Sequence, residues 1–153
     1  MQLPEYITKA EVQRVCKELG LSDWTALTTA SVPLAEARKV QELVGAEAMQ
    51  ITPEEFQLGL EVELEHGLQF ADANVTNNHP VLTGMIVLAH LKEMLDYYAR
   101  LEVAELEGDM LKAARRGDWE KLGAKYAQMR AARAQLAAGE SAAEGGAKSG
   151  AGS

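Results

Sequence analysis

The sequence predicts an all-α protein, a compact bundle of four to five helices with a long fourth helix and a disordered C-terminal tail. Three observations lead there. Only 5% of the 153 residues are aromatic while 47% are apolar, and Ala, Leu and Glu are abundant, which favours helices over a β-sandwich. Apolar residues recur at helical spacing in successive segments. Capping signals stand at the ends of those segments.

The first helix is expected to begin at Thr8, where Thr8-x-x-Glu11 has the form of a capping box. Val12, Cys16 and Leu19 follow at helical spacing, and Gly20 supplies a stop. A short helical turn is expected around Trp24. The second helix starts near Pro33 and runs to Val44 before Gly45, with Leu34, Ala37, Val40, Leu43 and Val44 as its apolar stripe. The third has the clearest start: Thr52 caps it, Pro53 suits the first helical position and Glu55 completes a second capping box. Gly67 is expected to end it. An Asn-rich connection, LQFADANVTNNHP, leads to a long fourth helix from Val81, with a bend near Gly108. A last helix opens near Asp118 with the stripe Trp119, Leu122, Tyr126, Met129 and Leu136. The expected organisation is one helical domain over 1–137. The small, polar residues of 138–153 do not offset ordering entropy, so a disordered tail is expected there.

Charge and cysteine content exclude several classes. The formal charge is −8. It divides into an acidic body, residues 1–109, and a basic end, residues 110–153, with eight Lys/Arg against four Asp/Glu. An acidic body repels nucleic acid and anionic membranes, so neither is an expected partner. The basic C-terminal helix could serve a homo-oligomer or a protein partner; the other reading is that it packs near the acidic body or that its charges are simply solvated. The apolar runs are too short to span a bilayer. The N-terminus lacks a basic n-region and an apolar h-region, so a cytoplasmic protein is expected. The single cysteine, Cys16, precludes an intramolecular disulfide framework, and its apolar helical phase suits a buried small side chain.

The third and fourth helices carry the unusual residues. On a helical wheel started at Phe56, Glu54, Gln57, Glu61 and Glu65 fall at about 100–180°, the expected solvent face. Glu63 and His66 fall at about 340° and 280°, on the inward side, with Gly59 between them. A lone buried carboxylate is expensive, so Glu63 needs a partner. On the fourth helix His90 lies within the apolar arc and Glu93 at its edge, with Tyr97 a further turn along. Glu63-x-x-His66 and His90-x-x-Glu93 are mirror orders, and antiparallel packing would aim both pairs at a shared point. Two imidazoles and two carboxylates suit Fe, Mn or Zn. Helical di-metal carboxylate proteins use such side chains. The other reading is a structural His–Glu hydrogen-bond network that Tyr97 could join. An interaction or assembly module would then be the function.

Other chemistry is sparse. Asp72-x-Asn74-x-Thr76 lacks the glycine and the terminal glutamate of a calcium loop. His79, before Pro80, reads as a turn or capping residue. No phosphate loop, GxSxG elbow or HExxH motif is present. Glu63 and Glu93 could form an acid/base pair, yet no substrate pocket is defined for them, so enzymatic activity stays open.

Residues 53–107 contain Gly59-Leu-Glu-Val-Glu-Leu-Glu-His-Gly67, Asn74-Val-Thr-Asn, Thr83-Gly84 and Ala89-His90-Leu91-x-Glu93-x-x-Asp96-Tyr97-Tyr98. Together these blocks resemble an uncharacterised domain family associated with bacteria and their phages. The resemblance implies a small helical domain and carries no activity, cofactor or partner. Where that family often has proline before Asp-Tyr-Tyr, this chain has Leu95. The resemblance thus implies a straighter fourth helix here.

Overall fold

Thr8 stops the chain's entry and starts its first helix: the Glu11 N–H donates to Thr8 Oγ1 at 3.2 Å. The computed structural model describes residues 6–149. The capping box is half made, because the Glu11 carboxylate turns instead to Arg14 at 2.7 Å. Helix α1 is Lys9–Leu19. A 3₁₀ turn at Trp24–Ala26 follows, then α2, Leu34–Val44, and a second 3₁₀ turn, Ala46–Met49. Gly20 and Gly45 close α1 and α2 in the left-handed conformation, the role expected of them. Helix α3 is Pro53–Gln69 with the full Thr52/Glu55 capping box. Helix α4 is Pro80–Glu93, α5 is Tyr97–Arg116 and α6 is Trp119–Ser149.

The fold is all-helical, with no strand among the described residues, but it has six α-helices where four to five were expected. The extra one comes from a break. The long fourth helix is two helices, because Met94 leaves helical geometry at φ −151°, ψ 129°. Asp96 then opens α5: its carbonyl accepts from the Arg100 N–H and its carboxylate pairs with the Arg100 guanidinium at 2.7 Å. The break falls beside Leu95, so the straighter helix that the resemblance implied is not found. Gly108 lies inside α5 without ending it.

The chain divides into two compact units, 1–95 and 96–153, whereas one domain over 1–137 was expected. The first unit packs α1–α4 around Trp24, Phe56, Leu60, Leu64, Val12, Val40 and Val87, each at most 1% exposed. Burying side chains of this size contributes about 1.5–3 kcal/mol each. Helix α4 runs close to α2 at Gly84, where a Cβ would meet Val40 Cγ1 at 2.5 Å. Leu43, expected in the α2 stripe, is exposed, and Gln41 is buried instead, donating to the Ile51 carbonyl at 3.1 Å.

The second unit is an α5–α6 hairpin. The ion pairs Arg100–Glu140, Arg133–Glu107 and Lys125–Asp109 run in opposite order along the two helices, which makes them antiparallel. Its seam is Leu106, Met129 and Ala132, flanked by Val103 and Met110. Met129 packs as expected, but Trp119 and Tyr126 do not dock and are 70% and 51% exposed. Helix α6 carries into the segment expected as a tail, and 150–153 lie outside the described residues.

Candidate functional site

Helix α3, fixed at its start by the capping box, carries Glu63 and His66 toward the Asn-rich connection. Glu63 is half-buried, as its inward phase implied, and meets His90 of α4: Glu63 Oε1 and His90 Nε2 are 3.5 Å apart. The two side chains are 16% and 31% exposed. An imidazole facing a carboxylate across two helices gives Glu63 the partner that burial demands.

The other residues of the expected set are placed as follows. His66 is exposed rather than inward, though it shares a pocket wall with Glu63. Glu93 is the last residue of α4 and is exposed. Tyr97 belongs to the second unit, where its ring meets Tyr98 edge to face at 5.2 Å. Among the described residues no three His, Cys, Asp or Glu side chains gather as a group able to hold a metal. The Glu63–His90 pair supplies two donors; a Zn, Fe or Mn centre takes three or four from protein.

The pocket beside Glu63 has a volume of about 230 Å³. Its walls come from the end of α3, the connection and α4, including Glu63, His66, Phe70, Asn74, Val75 and Ile86. The connection is a built clamp. Asn74 Nδ2 donates to the Gly67 carbonyl at 3.1 Å and to Asn78 Oδ1 at 2.8 Å. Asn78 Nδ2 reaches the Trp24 carbonyl at 3.3 Å, and Asn77 Nδ2 the Ile7 carbonyl at 2.6 Å. Asn77 and Asn78 stand at φ 49° and 62°, a region that asparagine tolerates better than most residues. Gly67 does not end α3. The clamp lies against it there and leaves no room for a side chain: a Cβ would meet Asn78 Oδ1 at 2.5 Å and Asn74 Nδ2 at 2.9 Å.

His79 caps α4, accepting from the Leu82 N–H through Nδ1 at 3.4 Å, the role read from its place before Pro80. Burial holds its pKa below the ordinary imidazole value, against the pull of the Glu11 carboxylate.

Sequence reasoning missed this clamp and a second tie. Gln57 and Glu61, assigned to solvent, are half-buried and hold the Val32 backbone: Gln57 Nε2 donates to Val32 O at 2.7 Å, and Val32 N–H donates to Glu61 Oε1 at 3.1 Å. The three asparagines among the five residues 74–78 carried a signal of local backbone bonding. Their long-range partners had none.

Residues 12–107 match the family described as protein of unknown function, DUF5661. This chain belongs to that family. The DUF5661 match reaches back through α2 into α1, beyond the expected start at residue 53. No curated protein and no solved structure matches the chain significantly. The DUF5661 region thus holds the Glu63–His90 pair, the asparagine clamp and the pocket, and it ends inside α5.

Beyond the DUF5661 match lies the turn of the α5–α6 hairpin. Residues 110–133 hold seven Lys/Arg and two Asp/Glu. Leu111, Trp119 and Tyr126 are exposed among them.

Proposed function

We propose that the protein is a non-enzymatic interaction module that self-associates through the basic α5–α6 hairpin, with Glu63 and His90 as a structural tie in its first unit. The observation that carries this reading is the exposure of Trp119 and Tyr126 amid seven cations. Exposed aromatic anchors flanked by Lys and Arg are the composition of a docking surface. The proposed occupant is a second copy, whose residues 1–95 hold fourteen Asp/Glu against six Lys/Arg. Opposite charge favours that encounter and the aromatic rings supply the buried area.

Sedimentation of the full chain over a concentration series tests it. The wild type is expected to associate, and Trp119→Ser with Tyr126→Ser to remain monomeric with unchanged helicity. A wild type that stays monomeric at about 100 μM, weak even for a transient complex, overturns the reading.

A second reading keeps a transition metal, Fe, Mn or Zn, on Glu63, His66, His90 and Glu93. It rests on the 3.5 Å approach of Glu63 to His90. Two donors bonded at about 2.0–2.1 Å to one tetrahedral ion stand at a similar separation. His66 would then swing inward from the pocket wall. Elemental analysis of tag-free protein is expected, on this reading, to find about one metal per chain, lost in His66→Ala and His90→Ala. Metal-free protein with native stability rules it out.

A further inference from the structure

The Glu63 pocket has the features of a small-ligand site, independently of how the hairpin behaves. Its volume of about 230 Å³ is below the about 300–1,000 Å³ of drug-sized sites, so the ligand is small. Three apolar side chains, Phe70, Val75 and Ile86, are exposed and all line this one cavity. Against them stands a single carboxylate, Glu63, beside the imidazole of His66. No lysine or arginine is among the described residues of its walls.

The charge preference follows from position. Glu63, His66 and Gly67 occupy the last two turns of α3, and Phe70 is its C-cap. The C-terminal end of a helix carries partial negative charge, which favours a cation. The Glu63 carboxylate adds a full negative charge on the same side. A carboxylate has acceptor sites for about four hydrogen bonds, so serving His90 is compatible with serving a ligand. The asparagine clamp holds the opposite wall in place, since Asn74 is bonded to α3 and Asn78 to the Trp24 backbone. A preorganised wall lowers the cost of ordering on binding.

We infer that this pocket binds a small primary amine, its ammonium group donating to Glu63 and its short hydrocarbon part lying against Phe70, Val75 and Ile86. The ligand class is defined by that pairing of one positive head with an apolar body. Carboxylates of the same shape meet the wrong charge, and neutral alcohols lack the charge-assisted bond.

Titration of the full chain with 2-phenylethylamine, followed by amide chemical shifts, tests this. Saturable shifts are expected at residues 63–86, with 2-phenylethanol binding at least about tenfold more weakly and phenylacetate not at all. Glu63→Gln is expected to weaken the amine by about tenfold or more. Because Glu63 also ties α3 to α4, Ile86→Trp serves as a second variant: it fills the cavity from an exposed position, leaves the Glu63–His90 pair in place and is expected to abolish binding. No saturable shift in the wild type overturns the inference. So does amine binding that is indifferent to Ile86→Trp in a folded variant, or equal binding of the amine and the carboxylate.

Discussion

Gly67 and Gly108 are both helical glycines, and their surroundings give them opposite sensitivities. A Cβ at Gly67 would strike the side chains of Asn78 and Asn74 at 2.5 and 2.9 Å, whereas at Gly108 it would meet nothing within 4 Å. Gly67→Ala is therefore expected to lower stability by about 1–3 kcal/mol through overpacking. Gly108→Ala is expected to raise it by about 0.5–1 kcal/mol, the helix-propensity difference. Denaturant unfolding of the two variants checks the contrast, and a stabilising Gly67→Ala would refute the clamp's rigidity.

His79 makes a pH prediction at the same scale. Burial depresses its pKa in the folded chain. Above pH about 6.5 the imidazole is neutral in both folded and unfolded chains, and its contribution is complete. As the pH falls below that value the unfolded chain takes up a proton that the folded chain resists, so stability declines until the folded pKa is crossed. Protonation also removes the acceptor that caps α4 through the Leu82 N–H. His79→Asn keeps a capping acceptor without a titration in this range. It is expected to flatten the stability profile between pH 6.5 and 5, and an unchanged slope would assign the pH dependence elsewhere. The capping role of His79 was legible from its place before Pro80. The clamp on Gly67 was not, because it depends on residues that only the fold brings near.

At the scale of elements, the ends were mostly written locally and one break was hidden. Thr52, Pro53 and Glu55 announce the start of α3 and make the capping box observed. The break between α4 and α5 was masked by continuous helical periodicity from Val81 to Glu107. Asp96 was its one local sign, a residue favoured at helix starts. Met94 is already extended, as a residue before proline prefers, and Asp96 at φ −96°, ψ 19° resembles the third position of a type I turn. Leu95, at 62% exposed, stands at the second position, where proline is favoured. Leu95→Pro is expected to change stability by no more than about 1 kcal/mol. A loss of about 3 kcal/mol, the cost of proline inside a helix, in thermal or urea unfolding would mean that α4 and α5 are continuous in solution.

For the whole molecule the uneven charge matters most. Residues 1–95 are acidic and residues 110–133 basic. Self-association driven by that asymmetry is expected to weaken markedly as ionic strength rises from about 0.05 to 0.5 M, because screening shortens from about 14 to 4 Å. Sedimentation at the two salt concentrations measures it. Association that is stronger at high salt would point to the aromatic surface alone. No described helix is long and apolar enough to cross a membrane.

By itself the sequence determined what is local: the all-helical class, the caps at Thr8 and Thr52, the stops at Gly20 and Gly45, and the charge division. These depend on neighbours within about one turn, where spacing and side-chain type are sufficient. Tertiary structure decided which expected site residues meet. It joined Glu63 to His90 at 3.5 Å, left His66 and Glu93 exposed and placed Tyr97 in the second unit. A helical wheel gives the direction of a side chain from its own axis. It does not give the rotation and offset of the helix opposite, and those two quantities determine whether donors converge.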